Sequence, residues 1–302
     1  MNRLQANICL VCVTLFWAAE VIIYACIPDG VPEFATMSVA SLTGTALMLV
    51  PFWRRVVGAV RKGGWRLLAA GLFLAVLSAV YNQHFITGLK FFDVVDGAFA
   101  YCLTVITTPF VMLVMRRRIS FGTWMSVAIV TAGIVLVLLP SLGAANMEGL
   151  VVMLVGSVLC SIVTILLVDL VRKHDPIAVA VIREGFMAAI ALVLWFLNDH
   201  GMFASFPITK TLIAAWAVYT YFIVVFALVL NVFAMRRVSA ANATVIYSLQ
   251  VVFTLALGVV LPAGVVDHVE LTPRVLVGAA LVVAGSLVEI LDFGGKSKES
   301  EE

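Results

Sequence analysis

Glu20 sits in the middle of an otherwise apolar run, with Trp17 three residues before it and Tyr24 four residues after it, so the three side chains share one face of a helix. A carboxylate walled by aromatic rings suits a cation or an amino group. In a low-dielectric setting it is also a candidate for exchanging a proton, since burial penalises the charged form. The alternative for Glu20 is a structural hydrogen bond to a neighbouring helix. Arg183 and Glu184 form a second charged position within an apolar stretch. Arg183 either grips a carboxylate or phosphate with its planar fork or snorkels to the interface. As sequence neighbours the two are expected to point in different directions. Tyr81-Asn82-Gln83-His84 is a polar run in which Tyr81 and His84 fall on one face, and His84 is able to titrate near neutral pH. Tyr101 and Thr104 follow in the next stretch, while Asp96 and Asn242 read as helix caps. Asn231, Tyr247 and Gln250 add neutral hydrogen-bonding groups near the end of the chain. Asp169, Glu289 and Asp292 lie near the ends of stretches and read as solvated.

None of these groups forms a catalytic motif. The chain has no GxxxxGK phosphate loop and no HExxH metal motif, which removes the parts that ATP hydrolysis and zinc proteolysis need. No metal and no cofactor is expected, and no enzymatic activity. Five cysteines, Cys9, Cys12, Cys26, Cys102 and Cys160, lie in or beside apolar runs, an odd number that argues against a disulfide framework and for packing roles.

The elements that must position these residues are membrane spans. With 63% hydrophobic residues, 12% charged residues and a mean hydropathy of +1.14, the 302-residue chain has too little charge to cover a soluble surface. Ten apolar stretches, 5–27, 33–52, 66–87, 96–115, 121–140, 149–170, 177–197, 211–233, 243–261 and 274–291, are each near the roughly 20 residues that cross a bilayer. The fold class predicted is an all-α integral membrane protein of ten transmembrane helices. Fifteen of the 19 Lys and Arg residues fall in loops on the face that also carries both ends of the chain. Only Lys90, Lys210 and Arg274 lie on the other face, so both termini are expected to be cytoplasmic. The basic runs read as topology anchors and not as a nucleic-acid surface. Glu20, about 15 residues into the first span, lies roughly 22 Å along it and so in the outer half of the bilayer.

The second half of the chain repeats the first. Lys90, Asp96 and Tyr101 match Arg236, Asn242 and Tyr247 at one constant offset; Ala132-Gly133 matches Ala284-Gly285, and Pro32 matches Pro176. Five spans per half is an odd number, so the copies insert in opposite senses, the arrangement that permits alternating access. The division expected is 1–142 for the first five-helix repeat, 143–292 for the second, inverted one, and a disordered acidic tail over 293–302.

Phe16-Trp17, Gly88-Leu89-Lys90-Phe91, Ala234-Met235-Arg236-Arg237-Val238-Ser239-Ala240-Ala241 and Ala132-Gly133-Ile134-Val135-Leu136 occur in the order and spacing of one family. By these residues the chain resembles the EamA type of the drug/metabolite transporter superfamily. The sequence departs from that pattern at Ala18, which follows Trp17 where glycine is common, and at Gln250, where proline is usual. The resemblance implies that spans 1–4 and 6–9 surround a central cavity, with 5 and 10 outside it. It also implies a permease of the cytoplasmic (inner) membrane that moves a small polar metabolite, amino-acid-like or another small organic solute, with export favoured. Protons are a candidate co-substrate through Glu20. The competing class is a non-transporting membrane subunit of a lipid-handling or enzymatic assembly. Small-residue surfaces at Gly278-Ala279-Ala280 and Ala284-Gly285 permit close helix approach, either within one protomer or in a homodimer.

Overall fold

The computed structural model describes residues 1–25, 27, 31–141, 144–198, 208–260 and 270–291, and all regular structure among them is helical. The tail over 293–302, Asp292 and Cys26 lie outside the described residues. The first half comprises α1 (Arg3–Ala25), α2 (Glu33–Leu89), α3 (Val94–Tyr101), α4 (Thr104–Val114) and α5 (Phe121–Leu138). The second comprises α6 (Ala144–Lys173), α7 (Pro176–Asn198) and α8 (Lys210–Val218), which runs through a π-helical segment (Tyr219–Ala227) into α9 (Leu228–Ala234). It ends with α10 (Ala240–Tyr247), α11 (Leu249–Val260) and α12 (Pro273–Leu291).

Among the described residues, eight stretches are long and apolar enough to cross a membrane. One of them lies within α2, whose 57 residues would reach about 85 Å if straight, far more than a bilayer needs. Gly64, at φ 57° and ψ −154°, breaks α2 into two arms. A side chain there would be strained, so glycine is what lets the chain turn. The loop expected between spans two and three is therefore helix on either side of one residue, because nothing between Pro51 and Gly64 stops a helix.

Two expected spans are each broken in the middle. The α3–α4 stretch is interrupted at Cys102 and Leu103, and the α10–α11 stretch at Ser248. The two breaks touch, with Cys102 Sγ donating to the Ser248 carbonyl at 3.7 Å. Both stretches begin with the same device. Asp93 accepts from the Asp96 amide at 2.7 Å, and Ser239 accepts from the Asn242 amide at 3.3 Å. The caps are thus three residues earlier than Asp96 and Asn242; those two side chains, one turn inside, are buried instead.

Packing follows the distribution of small residues. A Cβ on Gly133 of α5 would lie 2.7 Å from the Gly278 carbonyl of α12, and one on Gly285 of α12 would lie 2.9 Å from the Ser126 carbonyl of α5. The small-residue surface at Gly278 and Gly285 is therefore closed within the protomer. Two cores result, one shared by α1, α2, α6, α7, α9 and α10 and the other by the end of α2 with α3, α4, α5, α11 and α12. The outside is apolar, with Leu47, Phe73, Val151, Val193 and Leu276 all exposed. The start of α1 and the end of α12 lie side by side, where Asn7 Nδ2 donates to the Ile290 carbonyl at 3.3 Å.

Candidate functional site

Glu20 has a partner on the opposite half of the chain. The Tyr219 hydroxyl donates to Glu20 Oε1 at 2.8 Å. Tyr219 opens the π-helical segment, which is held against α1 by Phe222 and Phe226 packing on Phe16 at 5.8 and 5.4 Å. The same segment is held against α2 by Thr220, whose hydroxyl lies 3.1 Å from that of Thr43, and by Val224 over Gly44. One turn before Glu20, Trp17 meets Tyr247 edge to face at 5.0 Å, and Gln250 Nε2 donates to the Trp17 carbonyl at 3.4 Å. The Tyr247 hydroxyl in turn donates to Asn231 Oδ1, a short bond deep in the bundle. Trp17, Asn231, Tyr247 and Gln250 are thus one connected group, one turn along α1 from Glu20. The Tyr24 side chain lies outside the described residues.

Arg183 and Glu184, expected to diverge, instead pair with each other. Arg183 Nη2 donates to Glu184 Oε1 at 2.6 Å, and the two side chains are 14% and 8% exposed. A charge in this interior costs too much to stand alone, so the backbone neighbours bend their side chains together and cancel. Ser41 of α2 completes the group by donating to Glu184 Oε2 at 3.2 Å. The hydroxyl of Thr45, one turn further along α2, is buried with no hydrogen-bond partner among the described residues, as is that of Ser78. Tyr81 joins the two charged positions, since it lies within electrostatic reach of Cys160, Arg183, Glu184 and Glu20. Tyr247 is likewise within reach of Cys160, Tyr81 and Arg183.

The aromatic face of α2 continues from Tyr81 to Phe85 at 5.7 Å, and Phe85 stacks on Tyr101 at 4.3 Å. His84 does not share this role. Its Nδ1 donates to the Val80 carbonyl of its own helix at 2.8 Å, and its Cβ lies against Gly156 of α6. The partner expected for Tyr81 one turn on is therefore Phe85. Thr104 contributes its carbonyl to Thr107 at 3.5 Å. Beside it lies a hydroxyl ladder that joins α4 to α6: Ser161 Oγ is 2.7 Å from Thr107 Oγ1 and 2.9 Å from Thr108 Oγ1.

Several of these groups were not singled out by the sequence reading. Tyr219 carried a usable signal, because a tyrosine about eight residues into its span lies at the depth of Glu20. Ser41 and Ser161 carried none, since a serine in an apolar helix usually satisfies its own backbone. At the end of the molecule that carries Arg3, the acidic residues are not free in solvent. Glu289 is buried, accepts from Thr123 Oγ1 at 3.4 Å and lies 3.8 Å from Arg3. Asp169 accepts from both terminal nitrogens of Arg117, one at 2.7 Å, which holds the guanidinium proton more firmly than usual. Among the described residues no three His, Cys, Asp or Glu side chains gather as a metal site.

An apolar exterior, broken helices that meet in mid-bundle and a buried polar group drawn from both ends of the chain define a multi-pass membrane protein. Over residues 147–290 the chain matches the model of the EamA-like transporter family, a family of the drug/metabolite transporter superfamily. A solved structure titled only as a crystal structure of a protein superposes with a TM-score of 0.74, over 96% of this chain and 98% of that one. At 18% identity that likeness establishes the fold alone. No curated protein matches the sequence.

Proposed function

We propose that this protein is a secondary carrier that moves a small polar metabolite across the cytoplasmic membrane by alternating access, with Glu20 as the coupling carboxylate and export as the working direction. The observation that carries the reading is the buried polar group itself. Glu20 bonded to the Tyr219 hydroxyl and the Arg183–Glu184 pair bonded to Ser41 are two charged positions inside the bundle, with Tyr81 within electrostatic reach of both. Ionisable residues inside a membrane are costly and mark pathways for substrate or ions. A site that offers the Glu20 carboxyl group, a charge-balanced Arg183–Glu184 pair and the aromatic faces of Trp17 and Tyr247 suits a small solute with an amino group, such as an amino acid. Asn231 and Gln250 supply neutral hydrogen bonds.

Alternating access asks for two inverted copies, and paired features support ten helices so arranged. Treating α2 as two crossings and adding α1 brings the eight apolar stretches to ten. The Asp93 and Ser239 caps, the breaks at Cys102 and Ser248, and the pairs Phe85–Tyr101 and Asn231–Tyr247 all correspond at the single offset seen in the sequence. The glycine contacts of α5 and α12 correspond in the same reciprocal way. The adjacency of Asn7 and Ile290 supports both termini on one face, which the basic loops assign to the cytoplasm.

The test is counterflow of labelled amino acids and amines in proteoliposomes, at several pH values, for the parent protein and Glu20→Gln. Accumulation that depends on pH in the parent and not in the variant is expected. A variant with the parent's pH profile removes Glu20 from coupling. Absence of any solute flux, together with copurification of a stoichiometric partner, would overturn the carrier reading.

A further inference from the structure

A cavity of about 620 Å³ opens at the end of the molecule where α1 begins and α12 ends. Five arginines line it: Arg3, Arg117, Arg118, Arg172 and Arg237. They come from both halves of the chain, two of them from the turn after α4, one from the end of α6 and one from the turn before α10. A second cavity of about 310 Å³ shares Arg172 and Arg237 and adds Arg236. Loop arginines that served only to fix topology would gain most by spreading into water, where like charges repel least. Here they converge on one open cavity.

The carboxylates at this end do not cancel them. Asp169 engages Arg117 and Glu289 approaches Arg3, while no carboxylate among the described residues lines the cavity itself. Arg172 Nη2 donates to the Val238 carbonyl at 3.0 Å, which orders the side chain and leaves its charge in place. Arg118 and Arg237 both line the space and are exposed. The starts of α5 and α10, capped by Ser120 and Ser239, also border it and bring positive dipole ends of the same sign.

We infer that this cavity is a binding site for a phosphate-bearing anion, held by Arg118, Arg172 and Arg237 with Arg3 and Arg117 behind them. Planar guanidinium forks match phosphate oxygens two at a time, and basic pockets between membrane helices are a recognised setting for anionic headgroups. The chemistry is common to an anionic phospholipid headgroup and to a free phosphate. Exposed Val114, Met115 and Phe121 flank the arginines on the outer surface and offer a place for acyl chains, which favours the lipid. Because the anion would join Arg118 of the first half to Arg172 and Arg237 of the second, its occupancy would hold the two halves together at this end. The inference concerns a site apart from the interior polar group and stands whether or not that group carries a substrate.

The experiment uses the full-length protein in a neutral detergent at fixed ionic strength. Melting temperature is followed against short-chain phosphatidylglycerol, short-chain phosphatidylcholine and inorganic phosphate, and retained lipid is read by native mass spectrometry. Stabilisation by phosphatidylglycerol and not by phosphatidylcholine is expected, with roughly thirtyfold weaker binding in Arg118→Gln/Arg237→Gln. Arg61→Gln/Lys62→Gln, which removes two charges from the same end outside the cavity, should bind as the parent does. Arg118→Lys/Arg237→Lys keeps the charge and the topology, and should show an intermediate loss because the fork is gone. Phosphatidylglycerol acting alone identifies a lipid headgroup; inorganic phosphate acting as well identifies a soluble phosphate. Equal stabilisation in parent, cavity and control variants would reduce the effect to diffuse surface charge and overturn the site, as would silence with both phosphate probes.

Discussion

Arg183 and Glu184 are adjacent in the chain and still form a direct ion pair, which makes each the remedy for the other's burial. Glu184→Gln therefore leaves a buried guanidinium without its counter-charge, and a loss of about 3–5 kcal/mol is expected by unfolding titration in mixed micelles. The double change Arg183→Met/Glu184→Leu removes the problem along with the pair and should retain most of the stability lost in the single variant, while abolishing any substrate response that depends on the pair. Tyr219→Phe tests the other charged position. It takes away the hydroxyl at 2.8 Å from Glu20 and is expected to cost about 1–3 kcal/mol, the range for leaving a buried polar group unsatisfied. At this scale the sequence was informative where charge was scarce. Glu20, Trp17 and Tyr247 stood out because lipid punishes polarity, whereas Ser41 and Ser161 did not, because a serine is cheap to bury and its partner comes from a distant helix.

The helices are fixed by a few residues whose backbone does something unusual. Arg116, directly after α4, has φ 58°, with the Arg117 amide bonded to the Met112 carbonyl at 2.8 Å in a tight helix end. That position favours glycine, and Arg116→Gly is expected to raise stability by about 1 kcal/mol in thermal unfolding. Gly133→Ala has the opposite sign, because the added methyl would press on the Gly278 carbonyl; a loss of about 1–3 kcal/mol is expected, with α5 and α12 forced apart. Gly58→Ala is the control. Nothing lies within 4 Å of its Cβ, so the helix propensity of alanine should add about 0.5–1 kcal/mol. That the chain is built almost entirely of apolar helices was readable from hydropathy alone. The breaks at Cys102 and Ser248, the joining of two spans into α2 and the true caps at Asp93 and Ser239 were not, since each depends on hydrogen bonds that only the assembled bundle decides between.

Across the whole molecule, charge is sorted to one end and apolar surface to the sides, and this sorting sets the orientation test. Intact cells that carry Lys62→Cys or Lys210→Cys, treated with a membrane-impermeant maleimide, should label the second and spare the first; the reverse pattern would invert the proposed topology. The aligned residues pointed to corresponding stretches in the two halves, but the contact of the two broken stretches at Cys102 and Ser248 required the tertiary arrangement. The α8–α9 stretch carries a feature of its own. Residues Tyr219–Ala227 wind as a π-helix, wider and shorter per residue than the helices on either side. Such a segment is slack held in reserve, because tightening it to α geometry lengthens the rod and rotates one end against the other without unfolding any of it. Tyr219 is fastened to Glu20 at one end of that reserve and Asn231 to Tyr247 just beyond the other, so the rod cannot be rewound without unfastening at least one of them.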